Sequence, residues 1–200
     1  MIPTLPQDTQ DELAQLAERF GQPLVRTVDL GMTRQFDPLN RRDRYGEVCM
    51  VVRRPNGRLL TMKKTFYPQG SYRLLTGGIN HGESIFDALL REAHEETGLE
   101  VTVRRFLVAA PYVTTSTGEK PVFYTFAFLL DETGGTLGTI DEDEKIETFL
   151  EIEPEQLLER AEFLEQVGGP VYSKEIDGSW GDWGRFRAAI HRLVWEALAG

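Results

Sequence analysis

The spacing of apolar and polar positions along this chain changes character near residue 45. Ahead of it, "DTQDELAQLAERFG" sets Leu13, Leu16, Ala17 and Phe20 at helical intervals, with acidic residues in the first turn and Gly21 as a stop, which predicts a short amphipathic helix. "QPLVRTVDLGMTRQFDPL" then reads as a strand and loop that add to the core, cover a sheet edge or serve a partner subunit. From Tyr45, "YGEVCMVVRR" and "GRLLTMKKTF" are strand-like runs separated by "PNG", a strong turn signal, and together predict a hairpin. "EVTVRRFLVAAPYV", "VFYTFAFLLD" and "KIETFLEI" predict further strands, with "TTSTGEKP" as the loop between the first two. Pro154 to Gln166 repeats Leu157, Leu158, Ala161 and Leu164 as a helix does. "GGPVYSKEIDGSWGDWG" reads as a glycine-rich loop, and "RFRAAIHRLVWEAL" as an amphipathic helix with Phe186, Ile190, Leu193, Val194 and Ala197 on one side. Strands interleaved with helices imply an α+β or mixed α/β sandwich.

One helical segment breaks the usual separation of charge. Ser84 to Thr97 lacks proline and internal glycine, and Gly98 follows as a stop. Phe86, Leu89, Leu90 and Ala93 supply a buried stripe, while Glu92, Glu95 and Glu96, at i, i+3 and i+4, gather on a neighbouring face. Like charges at that spacing cost an isolated helix a few tenths of a kcal/mol per pair, so a purely structural helix has little reason to collect them. A divalent cation reverses the sign, because Mg²⁺ and Mn²⁺ prefer hard oxygen ligands shared among carboxylates, water and substrate phosphates. Glu83 stands at the helix entry, where capping and chemistry are both open to it. "TGGINHG" before the helix lets backbone atoms approach a metal or phosphate closely.

Composition narrows the setting. The single cysteine, Cys49, excludes an internal disulfide and lies in an apolar run as a buried thiol. No stretch approaches the roughly 18 apolar residues of a membrane span and no leader is evident, so a soluble, cytoplasmic protein is expected. The net charge of -10 argues against indiscriminate nucleic-acid binding, and no DNA partner is expected. Its distribution is uneven: residues 34 to 73 hold Arg34, Arg41, Arg42, Arg44, Lys64 and Arg73 among other cations, whereas residues 131 to 165 are mostly acidic. A basic wall near an acidic site would suit a metal-bound polyanion. Arg53, Lys63 and Arg73 could meet phosphates, although a solvated strand face is open to each. Tyr112, Phe123, Tyr124 and Phe126 read as core rather than as a stacking platform. Trp180 and Trp183 could line a pocket, seal an interface or anchor the last helix, the anchor being preferred.

The spacing from Gly77 to Glu83, and from there to "REAHEETGL" at Arg91 to Leu99, matches every fixed position of the Nudix box, with Ala93 as the small apolar residue and Leu99 as the aliphatic one. The sequence therefore resembles the Nudix hydrolases. The box covers 23 residues, and the order of the flanking strands and helix extends the resemblance to roughly two thirds of the chain. What it implies is a Nudix-type α/β/α sandwich with a mixed sheet, residues 41 to 200 forming the domain and residues 1 to 40 an extension. It also implies Mg²⁺- or Mn²⁺-dependent hydrolysis of a nucleoside diphosphate derivative. Carried over by position, Glu92, Glu95, Glu96 and the Thr76 carbonyl are metal ligands, and Arg91 orients the acids through an ion pair with Glu83. Thr76 replaces a proline common in the family, without removing the carbonyl. Some members recruit a downstream glutamate as base; "TIDEDEKIE" supplies Glu142 and Glu144, with Glu144 favoured as base or extra ligand and a solvated loop as the alternative. The extension loosely resembles one through which nucleotide-sugar and ADP-ribose hydrolases form dimers. ADP-ribose or another NDP-sugar is thus the leading substrate class, and a homodimer is possible. A regulatory domain that binds a nucleotide metabolite without hydrolysing it is the second reading; an RNA-directed decapping enzyme fits the chemistry but not the charge.

Overall fold

The computed structural model describes residues 2, 4–31, 39, 44–115 and 117–200. In chain order the elements are α1 (Gln7–Phe20), β1 (Leu24–Val25), β2 (Val28–Asp29), β3 (Arg44–Arg53), β4 (Leu59–Lys64), β5 (Arg73–Asn80), α2 (Ile85–Thr97), β6 (Leu99–Val113), β7 (Phe123–Gly135), β8 (Ile146–Ile152), α3 (Leu157–Glu165), β9 (Tyr172–Ser173), β10 (Gly178–Ser179) and α4 (Trp180–Ala199). Short 3-10 turns occupy Glu142–Glu144 and Pro154–Gln156. The expected residues Arg34, Arg41 and Arg42, and much of the loop before them, lie outside the described residues.

The first eight strands form one mixed sheet in the order β1-β6-β7-β3-β5-β4-β8, with β2 also on β6. Val48 through Val52 are wholly buried, as a strand covered on both faces requires, and β3 accordingly sits in the middle. It runs parallel to β7 and antiparallel to β5. The predicted hairpin is confined to its turn. Arg54 N donates to Arg58 O at 2.8 Å, but β3 and β4 are paired only at Arg53↔Leu59 before β5 separates them. A turn signal fixes the reversal of the chain and not the length of pairing beyond it; β4 buries its own apolar residues between β5 and β8.

Helices cover both faces. Val48 and Gly77 are register partners, and a side chain at Gly77 would meet Glu92 of α2. Glu47, adjacent to Val48 and so facing the other way, is paired with Arg187 of α4. The layers are therefore α2, sheet, α4. Among the described residues the N-terminal segment packs on its own chain: β1 and β2 run parallel along the β6 edge, and Thr4 Oγ1 meets Tyr124 Oη at 2.7 Å. Tyr112, Phe123, Tyr124 and Phe126 are buried core, as their place in the strand runs predicts, and so is Cys49. Among the described residues no helix is long and apolar enough to cross a membrane.

The last helix starts earlier than its apolar pattern predicts, at Trp180, within the expected loop. Ser179 caps it by accepting from Asp182 N at 3.1 Å. The glycines that suggested a loop serve instead as contact points, since a Cβ at Gly184 would overlap the carbonyl of Leu164 in α3 and one at Gly181 would lie 2.6 Å from Gly169 O. Ahead of α4, β9 and β10 pair as a small separate hairpin.

Candidate active site

Helix α2 is positioned by its buried face, and that face carries the carboxylates. Ile85, Ala88, Leu89 and Ala93 are buried, but so are Glu92 and Glu96, and Glu96 is completely enclosed. Two members of the expected stripe are misplaced: Leu90 is 37% exposed, and Phe86 is only half-buried, stacked on Phe20 of α1 at 5.9 Å. The helical period also fits a stripe through residues 85, 88, 89, 92, 93 and 96, a choice hidden by treating charge as surface. Gly77 makes the burial possible, because any Cβ there would overlap the Glu92 carboxylate.

Arg91 organises the remaining acids. Its Nε and Nη2 donate to the two oxygens of Glu83 at 2.7 and 2.9 Å, Nη1 donates to Glu92 at 2.8 Å and Glu95 at 3.0 Å, and Nη2 reaches Gly78 O at 3.1 Å. The hydrogen bond from Arg91 holds the Glu83 carboxyl below its ordinary range, and the Asn80 amide adds to this. Burial pushes Glu92 upward despite its bond to Arg91. Glu96 is pushed up to about 8 by burial; neither of its oxygens receives a hydrogen bond, and in its protonated form it donates to Glu144.

The distant glutamate arrives through the unpaired carbonyls at the end of α2. Ile140 N donates to Glu95 O and Gly138 N to Thr97 O, each at 2.9 Å, and Thr65 N at the end of β4 donates to Lys145 O at 2.9 Å. These main-chain bonds hold the Glu142–Glu144 turn beside α2. Glu144 then accepts from Lys64 Nζ at 2.8 Å. Burial raises its pKa, but the Lys64 charge and hydrogen bond outweigh this and leave Glu144 below the usual carboxylate range.

A cavity of about 400 Å³ lies beside these groups, and Glu83, Arg91, Glu95 and Glu96 are not among the residues that line it. Thr76, Glu92 and Glu144 face it from the expected site, joined by Lys64, Arg73 and Arg44 of the basic stretch. Arg73 is buried, with Nη1 on Thr76 Oγ1 at 3.0 Å and Nε on Tyr67 Oη at 3.0 Å. Two suggested phosphate contacts are turned elsewhere: Arg53 pairs with Asp131 at 2.8 Å, and Lys63 pairs with Glu147. Arg54 and Arg58 are likewise engaged with Glu132 and Glu153. Glu142 does not line the cavity, whereas its neighbours Asp143 and Lys145 do. The sequence reading missed Glu47, Glu175 and Arg187, which also line it. A signal existed for two of them, since Glu47 interrupts the apolar run of β3 and Arg187 follows Trp183 by one helical turn.

The donor set suits a divalent cation, although the side chains do not now converge on one. Among the described residues no three His, Cys, Asp or Glu side chains group closely enough to hold a metal ion, since Arg91 holds both Glu92 and Glu95. Glu96 is the opposite case: a buried carboxyl without any donor is costly unless a cation or proton completes it. Hard carboxylate oxygens in that position are what Mg²⁺ or Mn²⁺ would take.

Comparison with known proteins bears on the family of the chain. A stretch of the chain is 30% identical over 90 residues to the NAD-capped RNA hydrolase NudC of Vibrio atlanticus, covering 44% of this chain and 31% of that protein. It is 30% identical over 89 residues to Nudix hydrolase 2 of Arabidopsis thaliana, covering 44% and 32% respectively. The chain thus spans about a third of the length of the curated relatives it matches. Among solved structures, a UDP-X diphosphatase superposes with a TM-score of 0.49 at 17% identity, covering 82% of this chain and 68% of the other. An ADP-ribose pyrophosphatase from Streptococcus suis gives 0.45 at 15% identity, covering 78% and 92%. The NUDIX domain family model matches residues 44–172, more than half of the chain, and the protein belongs to the Nudix family.

Proposed function

We propose that this protein hydrolyses the pyrophosphate bond of a nucleoside diphosphate derivative, ADP-ribose or another NDP-sugar being the leading class, with Mg²⁺ or Mn²⁺ as cofactor. The observation that carries the reading is Glu96, enclosed and receiving no hydrogen bond, next to Glu92 and Glu144, which face a cavity rich in cations while Glu96 lies behind its wall. Glu92, Glu95, Glu96 and the Thr76 carbonyl would hold the cation. When bound, it supplies positive charge that polarises a phosphoryl oxygen and acidifies water. Glu83 fixes Arg91, and Arg91 in turn orients Glu92 and Glu95. Arg73 and Lys64 provide charge for the phosphates. Glu144 is kept ionised by Lys64 and can accept a proton from the attacking water. Its basicity increases when a phosphate draws Lys64 away, which favours the base role only once substrate is in place. A cavity of about 400 Å³ is suited to a small molecule.

The test is turnover of ADP-ribose, NDP-sugars, NADH, dinucleoside polyphosphates, coenzyme A, NTPs and NAD-capped RNA with Mg²⁺ or Mn²⁺, followed by chromatography. Hydrolysis of one diphosphate class is expected, with Glu96→Gln lowering turnover by roughly 10³-fold and removing the rise in Tm that either metal gives the native protein. Glu144→Gln should cost less, roughly 10²-fold. Tight binding of one metabolite without turnover would instead favour the regulatory reading. A fully active Glu96→Gln protein would sink the metal assignment.

A further inference from the structure

Helix α4 lies beyond the residues matched by the family model, yet it forms part of the cavity wall. Trp183, in its first turn, is 1% exposed and packs on Tyr67 with ring centroids 4.7 Å apart, while Trp180 meets Trp183 at 5.3 Å. This aromatic packing fixes the start of the helix. Arg187, one turn further on, lines the cavity although it is 5% exposed.

The bonding of Arg187 is incomplete. Its Nη1 donates to both oxygens of Glu47, at 2.8 and 3.0 Å, and Thr125 Oγ1 donates to the same carboxylate at 3.0 Å. Its Nε is buried without a partner. A guanidinium has five N–H donors in a rigid fork, and an arginine paired for stability alone would be expected to present a two-nitrogen edge to its carboxylate. Here one nitrogen serves Glu47, and Nε is left over. A buried ion pair is also weak evidence of a stabilising role, because apolar residues of similar volume usually do as well.

Resting on the proposed activity, and deepening it, we propose that Arg187 binds an anionic oxygen of the substrate diphosphate through guanidinium donors that Glu47 does not take. Glu47 and Thr125 act as positioning residues that hold the guanidinium towards the cavity. Arg187 is thus a determinant of substrate affinity supplied by the C-terminal helix, distinct from the carboxylates of α2.

The experiment compares native protein, the neutral pair Glu47→Gln/Arg187→Gln and Arg187→Lys, on whichever diphosphate the native protein cleaves. Both oxygens of Glu47 lose their charge together with Arg187 in the double variant, so no buried charge is stranded. KM should rise roughly tenfold or more in the double variant, the effect of losing a charged hydrogen bond, with kcat changed less than about threefold and circular dichroism unaltered. Arg187→Lys keeps the charge but loses the fork and should show the same direction, which serves if the double variant fails to fold. An unchanged KM in either folded variant overturns the proposal. Inorganic pyrophosphate binding in chelator, followed by tryptophan fluorescence, separates this from the activity itself. If no diphosphate is cleaved, the proposed function fails, while tighter pyrophosphate binding by native protein than by the folded variants still supports Arg187, and equal binding refutes it.

Discussion

A methyl group on Gly77 would overlap the Glu92 carboxylate, whereas one on Gly82 would meet nothing within 4 Å. The two glycines therefore serve different ends. Gly82 has a φ of 82°, so alanine there is strained by its backbone alone, while Gly77 is not among the residues of positive φ and is small only to make room. Gly77→Ala should fold with an overpacking cost of roughly 1–3 kcal/mol and lose most turnover because Glu92 is displaced. Gly82→Ala should lose stability by strain of about 1–2 kcal/mol and keep its turnover. Urea denaturation and steady-state kinetics on the pair check this; equal activity in both would mean that Glu92 can move without consequence. The sequence showed that three glycines precede the helix but could not show which one touches a side chain 15 positions later. Glu47 and Arg187 were hidden for a related reason, since their pairing spans 140 positions.

At the level of elements, α2 is held from outside its own segment. Ser84 caps Asp87 N at 3.0 Å, and Glu12 of α1 accepts from Phe86 N at 3.0 Å, so the N-terminal segment supplies part of the cap. Glu12→Ala should lower stability by about 1 kcal/mol, the usual cost of a lost cap, with Glu12→Gln losing less because an acceptor oxygen remains. An unchanged denaturation midpoint for Glu12→Ala would show that water replaces the carboxylate. Most elements were legible from periodicity, including α1, β6, β7 and β8. What local pattern could not carry was neighbourhood: β3 and β4 are consecutive and yet divided by β5, and α4 extends through glycines that read as a loop. Both outcomes depend on contacts with distant segments. The spacing of the α2 glutamates was legible as a cluster, but their burial was not, because it required knowing that Gly77 leaves a space.

Across the whole molecule, α4 and the sheet are joined by His191, which is fully buried and accepts from Leu74 N at 3.0 Å through Nε2, so that Nδ1–H faces Arg187 O at 2.7 Å. Burial lowers its pKa to about 4 from 6.5. The folded pKa being below the unfolded one, the contribution of His191 is fully present above pH 6.5 and is lost as pH falls from 6.5 towards 4. The slope is about 1.4 kcal/mol per pH unit for one proton. Glu96, with its raised pKa, acts in the opposite sense in the metal-free protein, losing stability as pH rises. Denaturation of Glu96→Gln in chelator should therefore show a fall of about 2 kcal/mol between pH 6.5 and 5, and a flat profile there would refute the assignment. The same reliance on one part of the chain to hold another governs the acidic turn near Glu144. Its place is set by amide and carbonyl groups of Glu95, Thr97, Thr65 and Lys145, which every residue except proline can offer in full. Address and content are thereby separated: the turn can be rewritten at residues 142 to 144, trading one proton acceptor for another, while its delivery to the cavity is preserved.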